Sequence, residues 1–187
     1  MKNKVRIIAG EWRSRQLAFT ELPGLRPTPD RVRETLFNWL QNVIYGSRCL
    51  DLFAGSGALG FEAASRGAKR VIQVENNSVA CKFLAENAKL LNARQVKVVN
   101  SDVFRFLAGD AEPFDIVFMD PPFKKDQVMQ TCQWLEDKVW LAETAKIYIE
   151  TERGFDLDGL PANWKNLRSK QNGDVSYNLF ERQDGHN

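Results

Sequence analysis

The chain has 187 residues, 43% hydrophobic and 27% charged, with a formal net charge of +2. That length suits one full core with at most a small appendage, and the composition is that of an ordinary globular protein rather than a disordered or fibrous one. No run approaches the roughly 20 apolar residues of a membrane span, and Met1-Lys2-Asn3-Lys4-Val5-Arg6-Ile7-Ile8 has no apolar stretch long enough for a signal peptide, so a cytoplasmic protein without a membrane partner is expected.

Residues 4–9 and 15–19 are strand-like runs around Gly10-Glu11-Trp12-Arg13-Ser14, which predicts a hairpin with basic and aromatic residues at its turn. Residues 1–33 hold eight Lys or Arg against three acids, a net of +5, so the remainder carries −3. A basic arm on a slightly acidic body suits a polyanionic partner, although a solvated basic edge would look the same. Pro23, Gly24, Pro27 and Pro29 mark a loop. A helix follows, with Thr28 or Asp30 as N-cap and Val32, Thr35-Leu36, Trp39-Leu40 and Val43 at helical spacing.

From residue 48 the pattern alternates. Strands are expected at Arg48–Phe53, Arg70–Glu75, Val96–Val99, Phe114–Met119 and Ala145–Glu150. Helices are expected to about Ser65, over Val79–Leu91, as a turn at Phe104–Leu107, and over Gln127–Leu135. Trp164–Lys170 and Asp174–Arg182 flank Asn172-Gly173 and read as a hairpin closing the sheet edge. Strands separated by helices imply an α/β chain with a parallel, doubly wound sheet. Two units are expected: a hairpin-and-helix extension over 1–45 and an α/β domain over 46–187.

In Leu50-Asp51-Leu52-Phe53-Ala54-Gly55-Ser56-Gly57-Ala58-Leu59-Gly60 a strand ends, glycines permit a tight turn and a helix begins. A ligand can then approach the main chain at a helix N-terminus. Glu75 ends the next strand about 20 residues on, where an acid can hold ribose hydroxyls. A dinucleotide would fit these features too. Two acids favour S-adenosyl-L-methionine instead. Asp51, at the strand end before the loop, suits a cationic amino group and would repel a pyrophosphate. Asp102, after the third strand, can accept a bond from the adenine amine. Asp51, Glu75, Asp102 and Asp120 would line one rim of the sheet, although any one of them could instead cap a helix. Phe53, Ala54, Gly55, Gly57, Asn76 and Val103 complete the expected cofactor contacts.

Asp120-Pro121-Pro122-Phe123 supplies the reaction. A nucleobase amine is a poor nucleophile because its lone pair is delocalised into the ring. The Asp120 carboxylate and Pro121 carbonyl can each accept one N–H bond, Pro122 stiffens the turn, and Phe123 offers a stacking face. The expected chemistry is methyl transfer to that amine. The only histidine is His186, and Cys49, Cys81 and Cys132 are isolated, so no metal site is expected.

With Arg6-Ile7-Ile8-Ala9-Gly10-Glu11-Trp12-Arg13 and Leu25-Arg26-Pro27-Thr28-Pro29-Asp30-Arg31-Val32-Arg33-Glu34-Thr35-Leu36-Phe37-Asn38-Trp39-Leu40, these motifs make the chain resemble the bacterial 16S rRNA guanine-N2 methyltransferases of type D. The likeness covers nearly the whole chain. It implies a Rossmann-like fold with a mostly parallel seven-stranded sheet and a C-terminal antiparallel hairpin. It implies methylation of one guanine 2-amino group in 16S rRNA, within an assembled or assembling 30S subunit. It also implies that Thr28 and Arg31 flank the methionine end of the cofactor, Arg31 as the charged donor, unless Arg31 is only a first-turn surface residue. Arg6, Trp12, Arg13, Arg15 and Arg26 are the candidate RNA contacts, with Trp12 either stacking on RNA or packing in the hairpin. No interface signal stands out, so a monomer is expected. Adenine-N6 methylation of RNA or DNA, a nicotinamide oxidoreductase and a non-catalytic RNA-binding assembly factor are the alternatives.

Overall fold

The computed structural model describes residues 3–122 and 125–184, with the side chains of Lys125 and Asp126 set aside. A two-stranded antiparallel sheet comes first, β1 (Asn3–Arg6) against β2 (Gln16–Phe19), with Val5 opposite Leu17. Helix α1 (Asp30–Trp39) follows. Its N-cap is Pro29, without a side-chain cap bond, so neither Thr28 nor Asp30 has the expected capping role. Asp30 is instead the first helical residue, and Thr28 turns inward, buried, toward the main sheet.

The main sheet contains β3 (Arg48–Asp51), β4 (Arg70–Glu75), β5 (Val96–Asn100), β6 (Phe114–Met119), β7 (Leu141–Glu152), β8 (Trp164–Asn172) and β9 (Val175–Arg182). Their order is β5-β4-β3-β6-β7-β9-β8. The first five strands of that order run parallel, while β9 runs antiparallel to both β7 and β8. The expected seven-stranded sheet with a closing hairpin is present. The crossovers are α2 (Ala58–Ser65), α3 (Ser78–Leu90), α4 (Val103–Leu107) and α5 (Lys125–Asp137).

Side chains alternate between the faces of a strand, so each β-strand feeds two cores. Cys49, Phe118 and Tyr148 pack with α1, α2 and the small sheet, and Leu50, Val117 and Ile147 pack with residues of α4 and α5. Helix α2 is buried at every residue because it lies between the main sheet and the N-terminal segment. Val5, Ile7, Trp12 and Leu17 share one core cluster with Phe61 and Phe118, so the N-terminal segment from residue 3 packs directly on the body. No helix among the described residues is long and apolar enough to cross a membrane.

Candidate active site at the carboxyl edge

Strand β3 ends at Asp51, and residues 52–57 turn the chain into α2. The turn closes with Gly57 N–H donating to the Ala54 carbonyl at 2.7 Å. Gly57 has φ +81°, and a Cβ there would lie 2.5 Å from Leu84 Cδ2. Conformation and space therefore both demand glycine. Gln73 on β4 donates to the Gly57 carbonyl at 3.1 Å, and a Cβ on Gly60 would stand 2.4 Å from its Nε2. Leu25 covers Gly55, so the segment before α1 crosses the loop. Glu75 fastens the loop to the next strand end. Its Oε2 accepts from Gly55 N–H at 2.9 Å and its Oε1 from Asn77 N–H at 2.8 Å.

Three acids converge beside this loop. Asp51 pairs in register with Phe118, and Phe118 with Tyr148. Period-two alternation then puts Asp51, Asp120 and Glu150 on one face of three neighbouring strands. Asp51 is 2% exposed, and its Oδ2 is buried without a hydrogen-bond partner. Burial pushes its carboxyl up to about 7, with the Glu75 charge adding and the Gly60 and Phe53 N–H groups opposing. Asp120 is raised well above the usual carboxylate range by burial, then by the Glu150 and Asp51 charges. Burial also raises Glu150, whereas the Tyr148 and Thr28 hydroxyls pull it down. Glu150 Oε2 accepts from Tyr148 Oη at 2.9 Å and from Thr28 Oγ1 at 3.5 Å. Uncompensated buried carboxylates favour a positively charged ligand with hydrogen-bond donors.

Pro121 is buried and Pro122 exposed beyond β6, so the Asp-Pro-Pro turn emerges next to the acids at the carboxyl edge. Phe123, the expected stacking ring, lies outside the described residues. Asp102 caps α4, its Oδ1 accepting from Phe104 N–H at 2.9 Å and Arg105 N–H at 3.1 Å. Capping thus accounts for that oxygen. Val103 is buried in the α4–α5 core, while Asn76 is exposed and its carbonyl accepts from Asn100 Nδ2 at 3.2 Å. Phe53 and Ala54 lie in the loop itself, and Arg31 is exposed on the first turn of α1.

The predicted RNA contacts divide by position. Trp12 is corrected: it is 6% exposed, and its backbone N–H donates to Ser65 Oγ at 3.0 Å. Its indole is a core side chain with no face left to stack on RNA. Glu11 N–H donates to the Ser65 carbonyl, which places the hairpin turn at the far end of α2. Arg15 Nη2 reaches the Leu90 carbonyl at 3.5 Å, at the far end of α3. A helix of that length spans about 20 Å, so Arg15 stands well away from the acid rim. Exposed Arg13 is in the same turn. Arg6 is exposed and pairs with Asp30 at 3.1 Å. Arg26 is exposed two residues before Thr28, whose hydroxyl reaches Glu150.

Sequence reasoning passed over Glu150 and Tyr148. The available signal was an acid ending a predicted strand, the same one that marked Asp51 and Glu75. Among the described residues no group of three or more His, Cys, Asp or Glu could hold a metal ion.

Comparison with known proteins agrees with this architecture. The family model described as Conserved hypothetical protein 95 matches residues 5–181. The chain is 48% identical over 180 residues to Ribosomal RNA small subunit methyltransferase D of Escherichia coli, covering 96% of this chain and 91% of that one. It is 46% identical over 184 residues to the protein of that name from Haemophilus influenzae, with coverages of 96% and 95%. A solved Escherichia coli structure, described as a candidate methyltransferase, superposes with TM-score 0.90 at 47% identity over 97% of this chain and 99% of its own.

Proposed function

The chain belongs to the ribosomal RNA small subunit methyltransferase D family, and from that membership we propose that it transfers a methyl group from S-adenosyl-L-methionine to the 2-amino group of a guanine in 16S rRNA. The observation that carries the reading is the unpartnered, fully buried Asp51 Oδ2, set between the glycine turn and the Asp-Pro-Pro corner. A ligand with both an ammonium and a sulfonium group answers that demand. A dinucleotide pyrophosphate would add negative charge to an acidic rim.

The residues present fit such a cofactor. Asp51 would hold the ammonium, Glu75 the ribose hydroxyls and Asp102 the adenine amine. Thr28 and Arg31 would flank the methionine carboxylate, with Arg31 as the charged donor. When bound, the cofactor supplies a methyl group on positively charged sulfur. The chain's own work is to make the amine ready to receive it. Asp120 carboxylate and Pro121 carbonyl each accept one N–H bond, which fixes the nitrogen and pushes its lone pair outward. Pro121 has no N–H of its own and a fixed φ, so the acceptor stays aimed. Burial excludes water from the acids, and this strengthens their attraction for the incoming charge. Phe123 supplies the stacking face, and an unpaired guanine reaches it by turning out of its stack.

Arg26, two residues before Thr28, receives RNA beside the target base, and Arg6, Arg13 and Arg15 hold flanking phosphates. An assembled or assembling 30S particle supplies the rest of the substrate shape. The test is transfer of labelled methyl from S-adenosyl-L-methionine to 30S particles and to naked 16S rRNA, both lacking the modification. Labelled N2-methylguanosine, strongest with particles, is expected. Labelled N6-methyladenosine would reject the guanine assignment, and no transfer to any RNA would reject the enzyme.

A further inference from the structure

Glu150 is a third acid of the site, and among the described residues it has no partner of opposite charge. Met119 pairs with Ile149 across β6 and β7, so Asp120, just past β6, and Glu150, within β7, follow side by side. Glu150 is 7% exposed. Two hydroxyls, from Tyr148 and Thr28, meet its Oε2. The titratable groups around it are Asp120 just past β6, Tyr148 from β7 and Tyr177, which pairs with it from β9, and Asp51 of β3 acts on Asp120 from the other side. Among the described residues neither Glu150 nor Asp120 is ion-paired with Lys or Arg. Arg33 bonds the Thr28 carbonyl at 3.0 Å, but its charge is directed to Asp30 and Glu62.

Resting on the methyl-transfer reading, we infer that Glu150 is a positioning residue whose fixed negative charge makes Asp120 the acceptor of the amine proton. In the transfer the N–CH3 bond forms as the S–CH3 bond breaks. The N–H bond then breaks, its electron pair stays on nitrogen, and its proton passes to the Asp120 carboxylate. Before transfer the sulfonium charge keeps both neighbouring carboxylates ionised. Afterwards the sulfur is neutral, and two like charges remain side by side, Glu150 buried and Asp120 half-buried. One proton between them relieves the repulsion, and the amine has one to give. Two hydroxyl donors favour ionised Glu150, which leaves the proton on Asp120. A Glu150 that only anchored Thr28 would hold a hydrogen bond and leave the proton affinity of Asp120 unchanged.

Two measurements on the full chain test this. Calorimetry in buffers of different ionisation enthalpy counts protons released on binding S-adenosyl-L-methionine and S-adenosyl-L-homocysteine. Wild type is expected to release more protons to the sulfonium ligand, and Glu150→Gln is expected to lose that difference. Single-turnover methylation against pH is expected to show an acid limb that Glu150→Gln moves down by about one unit or more, and that Glu150→Asp restores. Should Glu150→Gln fail to fold, carboxyl 13C spectra of wild type replace it, with Asp120 expected protonated at neutral pH beside the thioether and ionised beside the sulfonium. Equal proton counts with an unmoved acid limb, or spectra in which Asp120 titrates alike beside both ligands, would overturn the role of Glu150 while leaving methyl transfer intact. Failure of wild type to bind either ligand would sink the methyl-transfer reading itself.

Discussion

The protein buries charge in two places and treats it in opposite ways. Where the N-terminal segment meets the body, Arg33 and Glu62 are both wholly buried, 3.5 Å apart. Arg33 donates to the carbonyls of Thr28 at 3.0 Å and Arg6 at 2.9 Å and to Asp30. Glu62 accepts from Ile8 N–H at 2.9 Å, Ala9 N–H at 3.1 Å and Arg66 Nε at 2.8 Å. At the carboxyl edge, Asp51, Asp120 and Glu150 crowd together, with no cation paired to them among the described residues. Both clusters are costly to desolvate. One is neutralised within the chain and serves as a joint. The other is left incomplete, which makes it a receptor for a charge from outside.

Breaking the joint should give the largest effect. Glu62→Ala takes the buried counter-charge from Arg33 and leaves the Ile8 and Ala9 N–H groups unpaired, and should lower unfolding free energy by about 3–5 kcal/mol, read from urea denaturation. The double variant Arg33→Met/Glu62→Leu should recover only part of that loss, because an apolar pair needs no counter-charge but leaves the Ile8 and Ala9 N–H groups unpaired. If Glu62→Ala left stability unchanged, the joint would not be what seats the segment carrying Thr28. At the rim the expectation reverses. Asp120→Ala should lower single-turnover methylation by about 10²–10³-fold, the scale of losing one aimed polar group, without lowering the stability of the ligand-free protein. A drop in stability there would mean that Asp120 is part of the framework.

The two clusters were unequally legible in the sequence. Arg70–Glu75 and Phe114–Met119 are strands with the boundaries their apolar runs suggested, because strands buried on both faces leave little room for other patterns. Asp51 was legible as an acid set against an apolar strand end. Glu150 carried the same signal at the end of a predicted strand and was missed. β7 in fact runs from Leu141 to Glu152, so Glu150 is inside the strand rather than at its boundary. The joint was partly legible: of the helical face expected at Val32, Thr35-Leu36, Trp39-Leu40 and Val43, Val32, Leu36 and Leu40 are buried, whereas the equally buried Arg33 and Phe37 were not part of it. The Arg33 partner Glu62 was not legible, and neither was the burial of Trp12 against Ser65. Both depend on contacts across more than 50 residues, which local periodicity does not encode.

Asp51→Asn sets the two clusters against each other within one side chain. It removes a buried charge that has no counter-charge among the described residues, so the ligand-free variant should melt higher than wild type, opposite in sign to Glu62→Ala. It should also bind S-adenosyl-L-methionine about 2 kcal/mol more weakly, roughly thirtyfold, because the ammonium loses its counter-charge. A lower melting point would show that Asp51 is already satisfied.

The smallest effect is also the most specific, because it separates the clusters by pH alone. The Asp51 carboxyl is raised from 3.8 to about 7, so the folded ligand-free chain holds a proton that the unfolded chain has released between those values. The stability this protonation lends is fully present below about 4 and is lost as pH rises through about 7. Affinity for a cationic ligand runs the other way. Below about 7 the ligand must first displace the proton, so its dissociation constant should fall by up to about tenfold per pH unit and level off above about 7. Calorimetric titration of S-adenosyl-L-methionine from pH 5.5 to 8.5, about the range a rim group near 7 commands, would trace that line. Asp51→Asn should flatten it, leaving only the part due to Asp120 and Glu150. An equally steep line in Asp51→Asn would move the ammonium site off Asp51, whereas a flat line in wild type would mean that the rim is ionised before any ligand arrives.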